Sequence, residues 1–301
     1  MRRCSLVLGY SVKVACCAFI ASSCLAQGQT PSSKPVNPAT AAMAAAMSKP
    51  TPMSADGHPD LNGVWGSGFD LPIQKKGDSV FIIVPVVGVA DAPPPSADQN
   101  QTKLAELMDI LNNERRAKDP NKPPYKQELL ARVRELSEKE NKVDPTFFCR
   151  PEGVPRIGPP KQIVQTPGQV VLLYQTQEGN PYRVIPTDGR PHRTDIDPSY
   201  FGDGVGHWEG ATLVVDTVGF NDDTWLGIDG YFHSTKMHVI EKFTRQGDAL
   251  HYEVTVEDPG VFTRPWNMNP RLLRVTPDDP IEEEPRCVEM DENHIVTTLH
   301  H

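Results

Sequence analysis

Along residues 250–257, Leu250, Tyr252, Val254 and Val256 alternate with His251, Glu253, Thr255 and Glu257. A period of two puts one face of a strand against a core and the other in water. Runs of similar strand character cover 169–174, 182–185, 212–217, 236–245 and 271–275. Turn clusters separate them: Glu178-Gly179-Asn180-Pro181, Thr187-Asp188-Gly189-Arg190 and Gln246-Gly247-Asp248. Short strands joined by antiparallel-type turns predict a mainly β protein, an antiparallel barrel or a sandwich, and not a βαβ sheet. No repeat with a period of about 20–50 residues is present, which argues against a propeller. Residues 80–90 are β-branched and interrupted by Pro85, suiting an edge strand or a strand pair broken there.

Helical spacing occurs in one region. Leu104, Leu107, Met108 and Leu111 fall at i, i+3, i+4 and i+7 within 100–118. Leu129, Leu130, Val133 and Leu136 make a second face within 123–141. Pro120, Pro123 and Pro124 separate the two, because a proline lacks the donor that a helix interior needs. The pattern predicts an α-helical hairpin inserted at about 99–141 in a single β-rich domain, 58–299, packed over the barrel or acting as its lid. The chain holds 30 prolines in 301 residues, about twice the usual share near 5%. They gather before the domain, around the helical insert and at β turns, with Pro85 the exception.

Residues 1–26 read as a signal peptide. Arg2, Arg3 and Lys13 are its positive residues, 14–25 its apolar stretch, and Ala26 the small residue before cleavage. The apolar stretch is shorter than the ~20 residues of a membrane span. The arginine pair lacks the rest of a twin-arginine pattern, and lipid modification at Cys24 is the minority alternative. The expected location is periplasmic or secreted. Residues 27–57 are rich in Pro, Ala, Ser and Thr and are expected to be a disordered tether. Losing three positive charges takes the formal charge from −9 to −9 − 3 = −12, so nucleic acid is a poor partner. Four of the six cysteines, Cys4, Cys16, Cys17 and Cys24, go with the signal. The remaining Cys149 and Cys287 are expected to form a disulfide in an oxidising compartment.

Titratable residues are densest over 188–245, with His192, Tyr200, His207, Glu209, Asp216, Asp222, Asp223, Asp229, His233, His238 and Glu241 among them. His207 and Glu209, two apart on a strand, share a face, which is what a carboxylate-oriented imidazole base requires. The same spacing equally describes a solvated pair with Trp208 turned to the core. His233 is the second catalytic candidate. It stands five residues from His238, the wrong parity for a shared face unless a turn at Ser234-Thr235 intervenes. Asp216 lies in an apolar run and needs a donor, with Arg183, Arg264 or backbone groups as candidates. No H-E-x-x-H, C-x-x-C or EF-hand order occurs, so no metal and no cofactor is expected. No G-x-S-x-G nucleophile elbow occurs either.

Three segments resemble a family of exported bacterial proteins with no assigned activity. They are Asp144-Pro145 with Cys149-Arg150-Pro151-Glu152-Gly153-Val154-Pro155-Arg156, then 202–217 (GDGVGHWEGATLVVDT), and Glu257-Asp258-Pro259 with Thr263-Arg264-Pro265-Trp266. Ala211 stands where the family pattern has an aspartate. The Gly63-Val64-Trp65 entry resembles that of the lipocalin-like (calycin) barrels, whose tryptophan plugs the barrel floor. This resemblance implies an exported β-rich fold. Barrels of this size take a small, largely apolar molecule, with Trp65, Tyr200, Asp216, Trp225, His238, Arg264 and Trp266 as ligand-binding candidates. The alternatives are an acid–base enzyme (hydratase, isomerase or hydrolase) using a His/carboxylate site in 188–245, with His207, Glu209 and His233 as its catalytic candidates, and a structural envelope protein.

Overall fold

The computed structural model describes residues 38–66, 73–76, 79–82, 116–176 and 179–283. The strands are β1 (Gly63–Gly66), β2 (Ile73–Lys76), β3 (Ser79–Ile82), β4 (Gln162–Thr166), β5 (Gln169–Leu173) and β6 (Tyr182–Pro186), followed by β7 (Asp203–Glu209), β8 (Thr212–Val218), β9 (His238–Gln246), β10 (Ala249–Glu257), β11 (Trp266–Asn267) and β12 (Arg271–Val275). Helices are α1 (Pro38–Met47), α2 (Leu130–Glu138) and α3 (Glu140–Val143). The hydrogen-bonded order is β6-β5-β4-β1-β12-β10-β9-β8-β7, with β11 added to β10 and β2–β3 a separate hairpin. Every pairing between these strands is antiparallel. The fold is therefore mainly β, a nearly closed antiparallel barrel.

The two end strands, β6 and β7, meet through side chains instead of a backbone ladder. Gly204 and Gly206 make that approach possible. A Cβ on Gly204 would come 2.9 Å from Cδ1 of Ile185, and one on Gly206 would come 3.1 Å from its Cγ2. Ile185, on β6, is buried at this seam.

Strand parity decides what fills the barrel. Along β9, Val239, Glu241, Phe243 and Arg245 are buried, and along β10, Leu250, Tyr252, Val254 and Val256. Glu241 is thus carried inside by its place between apolar neighbours. It meets Arg183 of β6, whose Nη1 donates to Oε2 at 2.6 Å, with the two side chains 0% and 4% exposed. The same guanidinium donates to the Tyr174 hydroxyl at 3.1 Å and to Thr217 Oγ1 at 3.0 Å. Tyr252 donates to the other Glu241 oxygen at 2.9 Å. Burial alone disfavours the charged guanidinium, but Glu241 and Tyr174 outweigh it and hold the Arg183 pKa above its ordinary value. This network joins β6 to β8, β9 and β10 across the interior, spanning the seam.

Each end of the barrel is covered. At one, Trp65 is fully buried and donates its ring N–H to the Leu61 carbonyl at 3.1 Å. The Arg245 guanidinium lies 5.2 Å over that ring. Residues 41–57, expected to belong to a disordered tether, are seated here instead. Asp248 N donates to Ala46 O at 3.0 Å and Gly247 N to Thr51 Oγ1 at 2.8 Å. The β9–β10 turn offers backbone donors that the arriving segment satisfies, and Ala46 buries against it. At the opposite end α2 lays its apolar stripe on the loops. Val133 is buried, and Leu129, Leu130 and Leu136 pack against the core. Arg132 stands 4.2 Å over the Phe232 ring. The first predicted helix falls almost wholly outside the described residues, as does 83–90 of the predicted strand at 80–90. No helix among the described residues is long and apolar enough to cross a membrane.

Removing one partner of a buried pair leaves the other charged and unpaired, which costs about 3–5 kcal/mol. Arg183→Met is therefore expected to lower the unfolding free energy by that amount in urea titrations. Adding Glu241→Leu is expected to restore most of it. Additive losses in the double variant would show that the pair is not coupled.

Candidate functional site

The same parity that sends Glu241 inward sends His238 outward, and Asp203, Asp216 and Glu257 follow from their buried neighbours on adjacent strands. These four groups stand near the strand ends at the α2 side of the barrel, on its outer surface. The loop between β6 and β7 then lays His192 between two of them. Arg193 Nε donates to Asp203 Oδ1 at 2.8 Å. Asp203 Oδ2 is 3.1 Å from His192 Nδ1, and His192 Nε2 is 2.8 Å from Asp216 Oδ1. Asp216 Oδ2 forms an ion pair with His238 Nε2 at 2.9 Å, and His238 Nδ1 lies 3.2 Å from Glu257 Oε2. Two imidazoles thus alternate with three carboxylates in one row. The side chains of His192, His238 and Asp216 are 26%, 29% and 32% exposed.

A carboxylate only accepts, so both His192 ring nitrogens have hydrogen-bond partners only when that imidazole carries two protons. Partial burial works against a charged His192, but Asp216 and Asp203 prevail and hold its pKa above the usual imidazole value. Burial likewise raises Asp216, and its two histidine contacts outweigh that, leaving its carboxyl below the usual range. Asp203 is lowered in the same way, with Arg193 and His192 overcoming its burial.

The expected site residues are dispersed. His207 and Glu209 do share the outer face, 3.4 Å apart, but each is more than half exposed. Lys242 Nζ is 3.3 Å from Glu209. Exposed pairs of this kind contribute little. His233 is not with them. It is buried, with Nε2 2.7 Å from Thr224 Oγ1 and Nδ1 3.2 Å from the Ser234 carbonyl. Burial pushes its pKa down. Asp216 and His238 are brought together, and the expected arginine donors to Asp216 are replaced by imidazoles: Arg183 is inside the barrel, and exposed Arg264 reaches the Pro265 carbonyl at 3.3 Å. Trp65 lies at the far end. Trp225 and Trp266 are buried at the α2 end, where Trp266 donates to Asn121 Oδ1 at 3.1 Å. The Tyr200 hydroxyl is 3.4 Å from Arg150 Nη1, as is Asp223 Oδ2. Cys149 closes a short 3-10 turn, Pro145–Phe148, and Cys287 lies outside the described residues. Ala211 is exposed in the β7–β8 turn.

The family-like segments hold structure near this end. Asp144, fully buried, pairs with Arg156 at 2.8 Å and accepts from Thr146 N at 3.0 Å. Asp258 accepts from Ser234 N, Ser234 Oγ and Gly260 N at 2.7, 2.6 and 2.9 Å. His192 belongs to the 188–245 stretch rich in titratable groups, whereas Asp203 and Glu257 are not among the residues that the sequence marks as site candidates. Strand parity was the usable signal for Asp203 and Glu257, whereas His192 reaches the row from a loop. Among the described residues no group of three or more His, Cys, Asp or Glu side chains is arranged to hold a metal ion. Comparison of the chain with family models, curated proteins and solved structures gives no match in any of the three.

The pH dependence follows from these directions. A raised His192 contributes stability fully below the ordinary imidazole value of about 6.5, lost as pH rises through its folded pKa. Lowered Asp203 and Asp216 contribute fully above about 3.9, lost as pH falls through theirs. His192→Gln is therefore expected to destabilise most near roughly pH 5–6, and progressively less toward pH 9. Urea titrations of both proteins across this range check it, and a difference that grows with pH would contradict the ion-pair row.

Proposed function

We propose that the protein is an exported β-barrel protein that binds a small, largely apolar molecule at the end covered by α2. The carrying observation is the group of rings there. Tyr125 lies 5.3 Å from Phe232, 5.0 Å from Phe262 and 6.2 Å from Tyr231, and Trp266 lies 6.4 Å from both Tyr231 and Phe262. Aromatic walls with a few polar groups are the usual make-up of a small-molecule site. The Tyr125 hydroxyl on the Phe232 carbonyl and the Asn121 amide on Trp266 are such groups. The opposite end is sealed by Trp65 and Arg245, and the middle is filled by the Arg183–Glu241 network. A ligand therefore enters beneath α2 and not along the barrel axis. Export rests on the signal-like residues 1–26, and the Cys149–Cys287 bridge on the compartment it implies.

Acid–base catalysis is the second reading, favoured by the row centred on Asp216. It offers two partly exposed imidazoles, but each ring nitrogen already faces a carboxylate. The envelope-protein reading has less support. Among the described residues the exposed large apolar side chains Met53, Val143 and Phe148 sit in different elements, and only Tyr182 and Val184 are neighbours.

Native mass spectrometry of protein recovered from its own host is expected to show a retained small molecule. N-phenyl-1-naphthylamine is expected to bind saturably, with affinity lowered about tenfold in Trp266→Ala, roughly the 1.4 kcal/mol that a lost aromatic contact supplies. No retained mass together with no saturable uptake would end the binding reading. For the bridge, the exported protein is expected to show no thiol reactive toward iodoacetamide in urea. Cys149→Ser is expected to cost about 4–5 kcal/mol of stability, since the loop closed spans 287 − 149 = 138 residues.

A further inference from the structure

We infer that residues 188–198 form a strap whose attachment to the outer face of the barrel is switched by the protonation of His192. The inference is independent of the ligand reading. Over this stretch every side chain is exposed except His192 and Ile196. The strap is anchored outside both ends: Thr187 N donates to Gly168 O at 2.8 Å, and Ser199 N to Gly219 O at 3.0 Å. Between the anchors, Ile196 rests against Gly219, and a Cβ placed there would come 2.6 Å from its Cγ2. One apolar contact of that kind does not hold an eleven-residue loop (198 − 188 + 1 = 11) against its conformational entropy. The remaining ties to the strands are the doubly bonded imidazole, 3.1 Å from Asp203 and 2.8 Å from Asp216, and Arg193, whose backbone N–H and Nε donate to Asp203 at 3.2 and 2.8 Å; of these only the imidazole changes its charge near neutral pH and only it reaches Asp216.

The proton count gives the switch its sign. With two ring protons, His192 donates to both carboxylates and neutralises part of their charge. With one, a lone pair faces a carboxylate oxygen at hydrogen-bond distance, which is repulsive, and one of the two contacts must open. Two carboxylates face His192 directly, with an imidazole and a third carboxylate behind them. They are Asp203 from β7, Asp216 from β8, His238 behind Asp216 from β9, and Glu257 behind His238 from β10. On the strap itself Arg190 is occupied by Asp188, and Arg193 pairs with Asp203 and senses Asp195 and Asp197. Arg193 keeps its charge at every pH considered, but its side chain is 66% exposed, so solvent screens that tie. The strap is closed in mildly acidic solution and released as the medium turns alkaline. Release bares Asp216 and His238.

Trypsin reports the transition directly, because the bond after Arg193 lies inside the strap, whereas the one after Arg190 precedes Pro191 and resists cleavage. Cleavage after Arg193 in the full chain is measured by mass spectrometry at pH 6 and pH 8.5. Rates are normalised to a small chromogenic substrate at each pH. The wild-type rate is expected to rise about tenfold or more between the two. His192→Gln, which cannot be charged, is expected to be cut rapidly at both, and Asp203→Asn likewise. His207→Gln, on the same outer face but outside the row, is expected to behave as wild type. A flat wild-type profile, or a His192→Gln protein that keeps the pH response, would overturn the switch. So would cutting in the β9–β10 hairpin at the same rate, because the whole fold would then be opening. Thermal melts at both pH values confirm that each variant is folded when cut, and Asp203→Asn carries the test should His192→Gln not fold.

Discussion

Glu241 occupies an inward position on β9, and a lone carboxylate there would be too costly to bury. The barrel accommodates it by bringing Arg183 from β6 to within 2.6 Å and surrounding the pair with Tyr174, Thr217 and Tyr252. That requirement reaches well beyond two residues. β6 and β7 end the hydrogen-bonded sheet on either side, so nothing in the backbone ladder joins them. The guanidinium, reaching from β6 to β8 and β9, provides the link. Once β6 is held, Ile185 must lie over β7, and Gly204 and Gly206 leave it room. Barrel closure, seam composition and the polar content of the core are thus consequences of one buried ion pair.

The outer surface follows from the same register. If β9 were shifted by one residue, Glu241 would face water and His238 would enter the core. The ion pair therefore also fixes which groups appear outside. Asp203, Asp216, His238 and Glu257 come from four adjacent strands and line up because those strands are in register. The row they form with His192 is partly exposed and lies beside the loop that crosses from β6 to β7. The interior network, in contrast, is satisfied and inaccessible. Its role is architectural, and the chemistry that responds to solvent is on the outside.

Much of the barrel was legible in the alternation along β10, because a strand with one wet face writes its period into the sequence, and in the strand-like runs and turn clusters around it. The α2 stripe of Leu129, Leu130, Val133 and Leu136 was legible for the corresponding reason. β4 was not, since Gln162, Gln165 and Thr166 dilute its two apolar residues and its pairing with β1 and β5 is set by distant partners. The composition of 27–57 predicts a tether, because its Pro, Ala, Ser and Thr carry little apolar area. Its attachment comes from hydrogen bonds to Gly247 and Asp248, which composition does not register. His207 and Glu209 satisfied the spacing rule for a shared face, yet spacing carries no information on how much water surrounds that face. His233, which looked available, is enclosed by Thr224 and Ser234.

What the sequence by itself determined is the strand period, the turn positions, the helical stripe and the inward or outward sense of each residue along a strand. These are local properties, set by neighbours one to four positions away. Which strands stand side by side was decided only by the tertiary structure, and with it the encounters of Arg183 with Glu241 and of Asp216 with two histidines. Those contacts join residues 58 and 24 positions apart or so, and depend on barrel closure and on a loop's path. A carboxylate in an apolar run announces that it needs a partner, but only the closed sheet names which one it has.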